Sequence, residues 1–166
     1  MPADPLASSI VAALVERGET LATAESLTGG LIGAALTTVP GSSAAYRGGL
    51  ITYATDLKHT LARVPDPVLA EAGVISPRTA AAMAAGVRDA TGSDWGLAVT
   101  GVAGPDPQDG HPAGEVWVGL AGPGVAASAR RLDLAGDRDA IRAATVAGAL
   151  DWLRLELGTA DASRTG

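Results

Sequence analysis

Apolar positions along the chain fall in short runs whose spacing alternates between helical and extended. Asp4-Pro5 sets a capping side chain before a proline at the first helical position, and Leu6, Ile10, Val11 and Leu14 then share one face of a helix that Gly18 ends. Residues 20–24 read as a short strand. Thr28-Gly29-Gly30 turns the chain into a second helix carrying Leu31, Ile32, Ala35 and Leu36, which Pro40-Gly41 stops. Gly49-Leu50-Ile51-Thr52-Tyr53 is a second strand, followed by a short helix with Leu57, Leu61 and Val64 that Pro65 and Pro67 break. Ser76-Pro77 opens a long helix that buries Ala80, Met83, Ala84 and Val87 and ends near Gly92, and residues 95–100 form the next strand.

The second half changes character. Residues 101–114 hold Pro105, Pro107 and Pro112 with Gly101, Gly104, Gly110 and Gly114, too many breakers for a regular element, and so predict a mobile loop. Residues 116–120 and 125–134 flank Gly122-Pro123-Gly124 as a hairpin, which adds an antiparallel pair to an otherwise alternating order of strands and helices. Asp137 is placed to cap a last helix whose face includes Ile141, Ala144, Gly148, Trp152 and Leu155, with Gly158 starting a polar tail over 158–166. No internal repeat is present. The pattern predicts an α/β fold, a three-layer α/β/α sandwich around a mixed, mostly parallel sheet, with one domain over 1–166 and its core at about 5–157.

Composition sharpens this picture. The chain has 166 residues, 47% of them hydrophobic and 18% charged, which is apolar enough to fold. Phenylalanine is absent and aromatics make up only 3%, so a core of Ala, Val, Leu and Ile must bring its elements unusually close together. A net charge of -6 has the wrong sign for a surface that tracks nucleic-acid phosphates. With no cysteine and two isolated histidines, His59 and His111, neither thiolate chemistry nor a zinc site is expected. The sequence at Met1-Pro2-Ala3-Asp4 lacks the features of a signal peptide, and the longest charge-free stretch, residues 26–46, would span a bilayer poorly, so a cytoplasmic protein without a membrane partner is expected.

Ligands of open α/β sheets bind beyond the carboxyl ends of the strands, where Glu25-Ser26-Leu27-Thr28-Gly29-Gly30 lies. Amides opening a helix after Ser26 could receive a phosphate or an oxyanion, although a capped turn with packing glycines explains the same spacing. Thr100-Gly101-Val102-Ala103-Gly104-Pro105 ends another strand and could face the same crevice. Lys58 is the only lysine among twelve basic residues, and unlike arginine a lysine can shed its proton when buried.

Taken together, Ala24-Glu25-Ser26-Leu27-Thr28-Gly29-Gly30, Gly49-Leu50-Ile51-Thr52-Tyr53 with Lys58, Thr100-Gly101-Val102-Ala103-Gly104-Pro105 and Gly136-Asp137-Arg138-Asp139 resemble the CinA C-terminal domain family, in order from about Leu6 to Leu157. Members of that family include nicotinamide-nucleotide amidohydrolases, so the resemblance implies conversion of nicotinamide mononucleotide to nicotinate mononucleotide and ammonia. It implies Ser26 as nucleophile, Lys58 as base and Tyr53 beside them, with no metal or cofactor. Thr28, Gly29, Gly30, Thr100 and Gly101 are the expected substrate-binding residues. Arg142, in preference to Arg138, is the expected phosphate ligand. The chain differs mildly from the family at Leu27, where a cysteine or another small or apolar residue is common, and departs at Ala54-Thr55, where Ser-Asn is usual; the second change bears on hydrogen bonding around Lys58. It resembles a stand-alone copy of a domain that follows a pyrophosphatase domain in longer relatives. The expected partners are a small-molecule nucleotide and, in a homo-oligomer, a second copy forming a dimer. The rival reading is a non-catalytic nucleotide-binding or regulatory module on the same fold.

Overall fold

The computed structural model describes residues 2–164, with side chains through Gly158. Helix α1 (Pro5–Arg17) begins where the Asp4 carboxylate accepts the amides of Leu6 and Ala7, and ends at Gly18 in the left-handed region. Strand β1 (Leu21–Glu25) leads through a tight turn into α2 (Leu31–Thr37), and a single 3-10 turn at Ser42–Ala44 precedes β2 (Tyr46–Ile51). Then come α3 (Thr55–Thr60), α4 (Asp66–Ala72), α5 (Pro77–Thr91), β3 (Trp95–Gly101), β4 (Glu115–Gly122), β5 (Val125–Asp133) and α6 (Arg138–Arg164).

The strands order as β2-β1-β3-β4-β5, with β1 parallel to both β2 and β3 and the last two pairings antiparallel. Only β4 therefore opposes the other strands, which is the mixed, mostly parallel sheet of an α/β/α sandwich. One face carries Leu21, Leu97, Val99, Val116, Val118 and Leu120 against α1, α2 and α6. The other face is almost all small residues: Ala22, Ala24, Ala98 and Ala121 meet Met83, Ala84 and Val87 of α5. Here the close approach expected of a core without phenylalanine is realised by glycine. A Cβ on Gly96 or Gly119 would overlap the carbonyl of Ala84 or Ala80, so α5 sits with its backbone against the sheet.

Five expectations from the sequence are corrected. The second strand occupies Tyr46–Ile51 rather than 49–53, because Thr52, whose amide still donates to the Glu25 carbonyl, and Tyr53 beyond it turn their own carbonyls toward Lys58. Pro65 and Pro67 start α4 instead of only ending α3, since proline in a first turn lacks an amide the helix does not use. Val64 therefore falls beyond the short α3, although it is fully buried. Along α6, Leu153 and Leu157 point into the core with Trp152, while Leu155 is 44% exposed. The same helix runs through Gly158 to Arg164 rather than ending in a tail at 158; residues 165–166 of that expected tail lie outside the described residues. Among the described residues no helix is long and apolar enough to cross a membrane.

Candidate functional site

Three parallel strands end side by side, and the segments that leave their carboxyl ends converge on one cavity of about 470 Å³. Ser26 follows β1, Tyr53 and Lys58 follow β2, and Thr100 and Gly101 close β3; all five line the cavity. It lies where the chain connects β1 to a strand on one side and later returns to pair on the other, the switch point at which such sheets take ligands.

Lys58 is one of the largest fully enclosed side chains of the protein, at 2% exposure. Its Nζ lies 3.1 Å from Ser26 Oγ, 2.7 Å from the Thr52 carbonyl and 3.4 Å from the Tyr53 carbonyl. Burial lowers its pKa from 10.5 to about 8. No carboxylate reaches it among the described residues, so nothing opposes that shift. Tyr53 stands at the mouth, 62% exposed, with its hydroxyl accepting a 3.3 Å hydrogen bond from Arg138 Nη2.

The turn after Ser26 is held from inside by Glu25, which the sequence did not single out. Its buried carboxylate accepts from Thr28 Oγ1 at 2.6 Å and from the amides of Ile32 and Gly33 at 2.9 and 3.0 Å. The first amides of α2, expected to receive an anion, are therefore already occupied. The amides of Leu27 and Thr28 are different: neither has an acceptor among the described residues. Gly29 and Gly30 have φ of +58° and +107°, which lets the turn reverse into α2 without strain. Thr28, Gly29 and Gly30 thus shape the turn but do not line the cavity.

The two arginines exchange their expected places. Arg138 lines the cavity and anchors its Nη1 on the Gly104 carbonyl at 2.7 Å. Arg142 does not line it; its Nε and Nη2 donate to the carbonyls of Leu27 and Thr28 at 3.0 and 3.3 Å. A side chain four residues further along α6 meets the back of the turn and not its open side. Thr100 Oγ1 is turned to the Val74 carbonyl, and a Cβ on Gly101 would meet the Glu115 carbonyl at 2.5 Å. The breaker-rich loop borders the cavity through residues 102–108, bringing Asp106 and Gln108 to its edge, neither of which the sequence marked. Thr55 also lines it, whereas Ala54 is the cap residue of α3 and supplies no side-chain hydrogen bond. His59 and His111 sit apart from the cavity, paired with Asp66 and Glu115.

The chain is similar to known proteins in sequence and in fold. The chain is 51% identical over 151 residues to a CinA-like protein of Frankia casuarinae and 51% identical over 146 residues to one of Geobacter sulfurreducens. These alignments cover 91% and 87% of this chain but 35% of each relative, so the chain spans about a third of their length. The crystal structure of a CinA superfamily protein from Klebsiella pneumoniae superposes with a TM-score of 0.88 at 33% identity, covering 93% of this chain and 96% of that one. The CinA C-terminal domain family matches residues 3–157, which takes in every strand, the Ser26 turn, Lys58, Arg138 and Arg142. With fold, sequence and cavity all falling within that match, the chain belongs to the CinA C-terminal domain family.

Proposed function

We propose that this domain is an amidohydrolase that converts nicotinamide mononucleotide to nicotinate mononucleotide and ammonia through Ser26 and Lys58. The observation that carries this reading is the 3.1 Å contact between the serine hydroxyl and a buried lysine at the wall of an open cavity. A neutral lysine amine has two N–H groups and one lone pair. Two carbonyls, those of Thr52 and Tyr53, take the N–H groups and leave the lone pair for the Ser26 hydroxyl proton.

Lys58 removes that proton as Ser26 Oγ attacks the carboxamide carbon. The oxyanion that forms is received by backbone amides of the turn, among them that of Leu27, which lines the cavity and has no acceptor among the described residues. The lysine ammonium then returns its proton to the departing nitrogen, the C–N bond breaks, and ammonia leaves an ester on Ser26. Water attacks that ester with Lys58 again as base, giving the carboxylate product and restoring the serine. The cationic pyridinium of the substrate favours the neutral lysine further. Arg138, anchored on Gly104 and joined to Tyr53, is the guanidinium at the cavity suited to the phosphate.

The test is ammonia release from nicotinamide mononucleotide by the wild type and by Ser26→Ala. Release by the wild type and its loss in the variant is the expected result. Saturable binding of the mononucleotide with no ammonia from either protein would instead identify a nucleotide-binding module.

A further inference from the structure

Arg142 is half-buried and has no carboxylate within ion-pair distance among the described residues. Its guanidinium is directed at two backbone carbonyls of the turn after Ser26. A cation placed behind a nucleophile, outside the cavity, does not meet a substrate phosphate.

Its partners indicate another role. A trans peptide unit points its C=O and N–H to opposite sides. Drawing the Leu27 carbonyl toward α6 therefore turns the Thr28 N–H away from α6. The Ser26 carbonyl, which accepts the Gly29 amide at 3.1 Å, directs the Leu27 N–H away from the inside of the turn in the same manner. These two N–H groups are left without an acceptor, while Glu25 takes the amides of Ile32 and Gly33.

We infer that Arg142 is a positioning residue: by holding the Leu27 and Thr28 carbonyls it fixes the turn after Ser26 so that the free N–H of Leu27, the turn residue that lines the cavity beside Ser26, receives the oxyanion, and it makes no contact with phosphate. The inference rests on the amidohydrolase reading and extends it to a residue that does not touch the substrate.

The test compares wild type, Arg142→Met and Arg142→Lys on nicotinamide mononucleotide and on its phosphate-free nucleoside. Loss of an oxyanion donor costs about 100- to 1,000-fold in turnover, so misplacing the donors is expected to lower kcat about ten- to a hundred-fold. The loss should be similar on both substrates, with KM for the mononucleotide within about twofold of wild type, and Arg142→Lys should recover part of it because an ammonium can still reach one carbonyl. A rise in KM confined to the mononucleotide, with kcat retained, would assign Arg142 to the phosphate and overturn the inference.

A second measurement does not depend on the substrate. The rate at which a fluorophosphonate labels Ser26, followed by mass spectrometry, reports the same donors, because the phosphoryl oxygen of the adduct occupies the oxyanion position. Slower labelling of Arg142→Met supports the inference even if the wild type proves inactive on the mononucleotide, which would refute only the substrate assignment. Equal labelling of wild type and variant overturns it. Should Arg142→Met not fold, as judged by circular dichroism, Arg142→Lys carries the same comparison.

Discussion

Replacing Lys58 by arginine separates a base from a charge. In the proposed reaction, a Lys58 pKa of about 8 makes the neutral fraction of the free protein the quantity that sets the rate. That fraction is about one-tenth at pH 7 and about one-hundredth at pH 6, so kcat/KM should climb close to tenfold per pH unit up to 8 and then level off. The direction is set by the sign of the shift: protonation as pH falls through 8 removes the base. With the cationic substrate bound, the ammonium is disfavoured further, so the midpoint of the kcat profile should lie below that of kcat/KM. Arginine keeps the charge and can still donate to the Thr52 carbonyl, but it holds its proton at every pH the protein survives. Lys58→Arg should therefore lose at least about 100-fold in kcat/KM, a loss comparable to that of Ser26→Ala. The assay is ammonia release between pH 6 and 9, with circular dichroism confirming that each variant is folded. A flat wild-type profile across that range, or near-normal turnover by Lys58→Arg, would refute the assignment of Lys58 as base.

Three further outcomes are expected. Below pH 8 the folded state carries a buried ammonium that the unfolded chain hydrates, a penalty of about 3 kcal/mol for a pKa lowered from 10.5 to about 8 that fades as pH rises between those values. Lys58→Met should thus raise the Tm at pH 7 and lose its advantage near pH 10.5, and a lower Tm at pH 7 would contradict this. Ala54→Ser places a hydroxyl at the uncapped start of α3 and should stabilise the fold by about 0.5–1 kcal/mol in urea denaturation, with no gain arguing against the cap. Saturating mononucleotide should slow amide exchange across residues 102–110, and unchanged protection there would remove the loop from ligand binding.

Where local rules governed, the sequence was legible. Asp4, Gly18, Ser76 and Gly92 bound their helices as capping chemistry requires, and the hairpin around Pro123 closes as a turn between strands. Ser26, Lys58, Tyr53, Thr100 and Gly101, which stand out in the sequence, all line the cavity. What escaped depended on direction in space. Arg138 and Arg142 are one helical turn apart on α6, and composition says nothing about which faces the crevice and which meets the turn behind it. Glu25 read as part of a motif, but its three hydrogen bonds join residues up to eight positions apart through a turn whose geometry two glycines set. The end of β2 is not legible because Leu50, Ile51 and Tyr53 look like a continuing strand, whereas hydrogen bonding to a lysine five residues later draws Tyr53 out of the ladder.

That departure from the ladder is what makes a neutral lysine available. Had Lys58 been satisfied by a carboxylate, the opposite charge would have raised its pKa and kept the proton on the amine at neutral pH. Backbone carbonyls accept from an amine and from an ammonium alike, so they can hold the side chain in place without holding its proton. Supplying two of them inside the protein requires a strand that stops being a strand, because carbonyls in a ladder are already paired. Thr52 and Tyr53 provide them at the edge of the sheet, where β2 has a neighbour on one side only and can end at little cost to pairing. Arg142 is held in the same way, by carbonyls and not by a carboxylate, but its guanidinium keeps its charge. The two cations of the Ser26 turn are thus divided by residue type: the lysine on the cavity side can lose its proton, and the arginine behind the turn cannot. Exchanging the two residue types should abolish ammonia release even though total charge is kept, because arginine at 58 holds its proton, while lysine at 142 retains part of the positioning.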